Sequence, residues 1–152
     1  MTREFETLAD FKAAVGQELG TSDWVTVTQE KINLFADATG DHQWIHIDPE
    51  AAAKGPFGTP IAHGYLTLSL LPVFTSQIYS VKSVVMGVNY GANKVRFPHP
   101  VPVDSRVRAT ATLKETKDIG IGTQSIVSVV VEIEGVEKPA CIAEVVYVMA
   151  EG

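Results

Sequence analysis

The sequence predicts an α+β fold in which an antiparallel sheet of five or six strands curves around one long central helix, and three observations carry that prediction. Residues 61–78, IAHGYLTLSLLPVFTSQI, are apolar on nearly every side, the mark of a helix buried all round. From Val81 onward the apolar residues recur at every second position, the period of a half-buried strand. The turns DIGIG and EGVEKP are short, so consecutive strands pair as antiparallel neighbours.

Each element has its own signal. The segment TQEKINLFADAT places Ile32, Phe35, Ala36 and Thr39 on one helical face. Thr28 is its N-cap, Glu30 lies in the first turn where the helix dipole favours acid, and Gly40 ends it. Asp48 caps a second, short helix with Pro49 at its first position and Glu50 behind it, closed by Gly55 and Pro56. Between the two helices DHQWIHI has no clear period and is read as a loop held at both ends. Pro72 interrupts the apolar helix, which is expected to run over residues 62–71 and to resume beyond a kink. The strands follow as SVVMGVNYG, KVRF and SRVRATATL, the last alternating Val107, Ala109, Ala111 and Leu113 against polar neighbours. Next come QSIVSVVVEIE, alternating Val127, Val129, Val131 and Ile133, and CIAEVVYVM, with residues 24–27 as an early extra strand.

The length of 152 residues suits one domain, residues 1–152, with one real core. A net charge of −6, with twelve Lys and Arg scattered singly, argues against nucleic acid as a partner. The single cysteine, Cys141, lies in the apolar run ACIAEVVYV, so there is neither a disulfide framework nor a thiolate cluster for a metal. The N-terminal MTREFETLADFK lacks the apolar centre of a signal peptide, and no apolar run approaches the roughly 18 residues that span a bilayer. A cytoplasmic protein without membrane contact is expected. One sheet around one helix leaves apolar surface at the sheet edge, which predicts a homodimer joined edge to edge.

Asp41 and His46 lie five residues apart in the pinned segment. An isolated Asp and His more often cap a loop and fill a core corner. Here the neighbours Trp44, Ile45 and Ile47 are bulky enough to desolvate the pair and move its titration toward neutral pH. His42 and His46 have the spacing of helical zinc ligands, but the general-base Glu of such motifs is missing and Asp48-Pro49 signals loop; no metal is expected. Gly64, following His63 at the start of the apolar helix, leaves a backbone N–H open to a carbonyl oxygen that gains charge, although it equally suits close helix packing. Ser69 sits in an apolar helix without a nucleophile turn. An acid–base pair opposite an oxyanion donor suits proton transfer beside a carbonyl, or addition of water to a polarised double bond.

FADATGDHQWIHIDPEAA resembles the signature of the MaoC-like (R)-specific enoyl-CoA hydratases. GPFGTPIAHGYLTLSLLP is similar to that family's central helix, and NYGANKVRFPHPVPVDSRV to its next strand and turn. The resemblance implies a hot-dog fold and reversible syn addition of water to trans-2-enoyl-CoA, without a cofactor, giving (R)-3-hydroxyacyl-CoA. It implies that Asp41 and His46 hold and activate one water while Gly64 donates to the thioester carbonyl. His63, Trp44, Lys94 and Arg96 are assigned as substrate contacts, the two cations toward the phosphates of CoA. The family's Asn-Pro is Gln43-Trp44 here, and Pro72 stands near where some members carry a helix serine. A hot-dog acyl-CoA thioesterase is the runner-up; such enzymes place a carboxylate on or near the helix. A dehydratase subunit acting on acyl carrier protein, or a non-catalytic acyl-binding subunit, is the third reading.

Overall fold

A computed structural model describes residues 1–152. Strand β1 (Arg3–Phe5) and helix α1 (Leu8–Lys12) come first, with Thr7 and Asp10 exchanging cap hydrogen bonds at the helix start. Two short strands follow, β2 (Glu18–Thr21) and β3 (Val25–Thr26). Helix α2 (Gln29–Thr39) obeys its sequence signals. The Lys31 N–H donates to the Thr28 hydroxyl, and Gly40 closes the helix at φ 83° while its N–H donates to the Ala36 carbonyl.

The segment read as a loop contains one turn of helix, α3 (Trp44–Ile47), followed at once by α4 (Pro49–Ala53). A single turn is too short to show a period of 3.6 in sequence, so tertiary bonds hold it. The Ile61 N–H donates to the Ile45 carbonyl, and the Gln29 side chain of α2 donates to the His46 carbonyl at 2.8 Å. His46 therefore rides on a helical turn braced from two sides.

The apolar segment forms α5 (Gly64–Ser69) and α6 (Leu71–Ile78), broken at Leu70. The helix starts two residues later than the apolar run suggests. Its break falls where Pro72 takes an early position of the second segment, and a missing N–H costs little there. Strand β4 (Tyr79–Val81) then pairs in parallel with β1.

The main sheet is antiparallel and has six strands, completed by β5 (Val84–Arg96), β6 (Arg106–Ile119), β7 (Gly122–Ile133) and β8 (Cys141–Glu151). The order is β2-β6-β7-β8-β5, with β3 also on β6. The two segments SVVMGVNYG and KVRF merge into the single strand β5, whose register with β8 shifts three times. Such irregularities bend a strand, which is how a long edge strand follows a curved sheet. The alternating residues predicted for the inner face, Val107 to Leu113 on β6 and Val127 to Ile133 on β7, are buried. Helix α6 packs on β6 and β2, and α5 on β8. Phe74 of α6 is wholly buried at the centre of this contact, and its truncation to Ala is expected to cost about 3–5 kcal/mol. Cys141 is buried in the same core, and that burial pushes its thiol up to about 11, far from reactive thiolate.

Candidate active site

His46 is buried at the C-terminal end of the α3 turn and lines a cleft of about 290 Å³ together with Phe57, Gly64, Phe97, His99 and Ala140. Its Nδ1 lies 2.6 Å from the Ile61 carbonyl oxygen. A carbonyl only accepts, so Nδ1 carries the proton and Nε2 is left with a lone pair. Burial holds the imidazole below its ordinary value near 6.5, and the neighbouring His63 acts in the same direction. The Ile61 bond and the Asp41 charge pull the other way without reversing the shift. At neutral pH the ring is an unprotonated base.

Asp41 follows the left-handed Gly40 and is exposed, so the segment buries His46 and not the pair as a whole. Trp44, the bulkiest neighbour in the segment, is turned away and packs on the Gly55 turn, leaving the carboxylate in water. The Gln43 N–H approaches one Asp41 carboxylate oxygen at 3.4 Å. A ligand-type atom of Asp41, of His46 and of His63 all lie within 4.8 Å of one another. The His46 and His63 rings are stacked, 3.9 Å between centroids and 24° between planes. His42, the other half of the zinc-like spacing, points elsewhere and pairs with Asp37 at 2.9 Å.

Gly64 is the first residue of α5, where the N–H has no intrahelical acceptor, and it stands on the same cleft as His46. The Phe97 ring covers it so closely that a Cβ at this position would come within 2.9 Å of the ring. Of the two readings of Gly64, this contact shows close packing. Ser69 donates its hydroxyl to the Tyr65 carbonyl one turn back, at 2.6 Å, and is spent on the helix backbone.

The remaining assigned contacts are dispersed. His63 is buried against His46 and Phe35 and does not line the cleft. Lys94 and Arg96 are exposed at the end of β5, with Arg96 donating to the Val95 carbonyl. Arg96 stands one residue before Phe97 of the cleft wall. His99 also lines the cleft, and as a lone His between two prolines it carries no spacing signal in the sequence. A second, larger cleft of about 470 Å³ opens where α5 meets α6, between Leu68, Pro72, Tyr90, Val145 and Tyr147. It is mostly apolar and holds no carboxylate or imidazole.

Comparison with known proteins decides the family. The family model for the MaoC like domain matches residues 10–136. The chain belongs to the MaoC-like family. A curated relative, 3-hydroxyacyl-thioester dehydratase Z of Mycobacterium tuberculosis, is 64% identical over 143 residues, covering 93% of this chain and 95% of that one. Among solved structures, a monoamine oxidase regulatory protein from Archaeoglobus fulgius superposes with a TM-score of 0.78 at 26% identity, over 100% of this chain and 99% of that one. An unliganded (R)-hydratase from Pseudomonas aeruginosa gives 0.73 at 21% identity, over 91% and 83% of the two chains, and shows the shared hot-dog fold. The MaoC-like chain is an enzyme of the dehydratase type, a hydro-lyase.

Proposed function

We propose that this dehydratase adds water reversibly and syn to a trans-2-enoyl-CoA, giving the (R)-3-hydroxyacyl-CoA. The observation that carries the reading is the spacing of Asp41 and His46, at most 4.8 Å between a carboxylate oxygen and a ring nitrogen. One water donating two hydrogen bonds of ordinary length at a tetrahedral angle bridges acceptors about 4.6 Å apart. A separation within 4.8 Å is compatible with one water shared between the two side chains, which supports the reading. His46 Nε2 takes one proton as the water oxygen attacks Cβ, and the double-bond electrons move to the thioester carbonyl. The Gly64 N–H receives that oxyanion, and such a donor is typically worth about 3–4 kcal/mol in the transition state. The pair then returns a proton to Cα from the same side, so the net change is one H2O added.

The mostly apolar cleft beside Pro72 is the volume available to the acyl chain, and Arg96 and Lys94 stand at the strand end where CoA phosphates would be met. The net charge of −6 favours CoA over an acidic carrier protein. The long edge strand β5 exposes Val85, Met86 and Val88 and is unpaired on its outer side, which supports a homodimer formed there. Against a thioesterase, the turns of α5 read GYLTLS and hold no carboxylate.

The test is one mixture read twice. Purified protein with crotonyl-CoA should lose the enoyl absorbance while free thiol stays at background. Thiol release with the double bond intact would sink the hydratase reading.

A further inference from the structure

His63 touches both members of the proposed pair yet stands outside the cleft. Its Nε2 lies 3.0 Å from the Asp41 backbone carbonyl, so Nε2 carries the proton and donates it. Its ring stacks on His46 at 3.9 Å between centroids, and the Phe35 ring packs against it, tilted, at 4.8 Å. Nδ1, the remaining ring nitrogen, is buried with no hydrogen-bond partner. An apolar ring would fill this space equally well without burying an unpaired acceptor, so packing alone does not account for a histidine here. What an apolar ring lacks is the N–H to Asp41. Asp41 needs an anchor, because it follows a left-handed glycine, lies exposed, and has only the 3.4 Å approach of Gln43 to orient its carboxylate.

We propose that His63 is a positioning residue for hydration: its Nε2–H fixes the Asp41 backbone, setting the distance between carboxylate and imidazole. The inference rests on the hydration reading above. It moves His63 from substrate contact to the scaffold of the pair, and it predicts an effect on the chemical step without an effect on binding.

The experiment uses the full-length chain and crotonyl-CoA. His63→Phe keeps a ring in this space and removes the N–H; His63→Gln puts an amide N–H at the reach of Nε2. For His63→Phe, kcat should fall by about 10- to 100-fold with KM changed by less than about threefold, as expected when catalytic groups are misplaced but the cleft is intact. His63→Gln should restore kcat to within about threefold of wild type. A folded His63→Phe with wild-type kcat overturns the proposal, as does a loss confined to KM, or a His63→Gln as impaired as His63→Phe. If His63→Phe does not fold, His63→Gln decides alone: a folded His63→Gln that has lost more than about tenfold in kcat overturns it. Wild-type turnover is measured first, since a wild type that hydrates nothing removes the parent reading, whereas an active wild type beside a normal His63→Phe removes only this one.

Discussion

His46 derives its character from burial and from a carbonyl 15 residues away in sequence. The Ile61 carbonyl fixes which nitrogen is free, and the surrounding core keeps that nitrogen unprotonated. Because the base must be neutral to accept a proton and burial lowers its protonation, the acidic limb of kcat/KM is expected below pH 6.5. Activity should be full above that limb and fall as pH drops through it. A pH–rate profile with its limb at or above the ordinary histidine value would contradict this. The same shift makes the unfolded chain the better proton acceptor, so the stability contributed by neutral His46 is lost as pH falls below 6.5. At Gly64 the constraint is spatial. Gly64→Ala should fold, because the exposed Phe97 ring can move aside, but the displaced ring and new methyl crowd the donor. A fall in kcat/KM of about 10- to 100-fold is the expected outcome of steady-state kinetics; unchanged kinetics would remove Gly64 from the oxyanion role.

The decisive element is α3, which has no independent stability and borrows its position from α2. Gln29, in the first turn of α2, reaches the His46 carbonyl, so α2 fixes both the start of the segment that carries Asp41 and the backbone of the proposed base. Gln29→Ala should therefore lower kcat by about tenfold with little change in melting temperature. Thr28→Ala, which removes the cap of the same helix, should cost about 1 kcal/mol of stability and leave kcat nearly unchanged. Equal effects of the two variants on both readouts would contradict this division. Legibility in the sequence follows the same line. Caps such as Thr28 and Asp48, the stop at Gly40 and the alternation on β6 and β7 are local and repeated, and each was readable. The α3 turn, the short β1 and β2, and the merger of two strand segments into β5 depend on partners far along the chain, so no local period announces them; α1 does carry a local signal, the Thr7–Asp10 cap. The same distinction applies in the site. Asp41, His46 and Gly64 stood out through spacing and flanking signals, whereas the place of His63 against His46 arises only when α5 meets α3.

At the scale of the whole molecule, the six-stranded sheet ends on one side in the long strand β5, which carries exposed apolar residues and no outer partner. A double substitution of Val85→Lys and Val88→Lys places charge on that edge while sparing the core. Sedimentation should show a dimer for the wild type and a monomer for the variant; a monomeric wild type would contradict the edge-to-edge dimer. The sheet's other service is to hold the helix that brings Gly64 against the α3 turn, and on that meeting the proposed chemistry depends. The most direct test is the kcat of Asp41→Asn and of His46→Gln with crotonyl-CoA, with circular dichroism confirming the fold. The account expects each folded variant to lose about two to four orders of magnitude in kcat. A folded variant that hydrates at near the wild-type rate would contradict it.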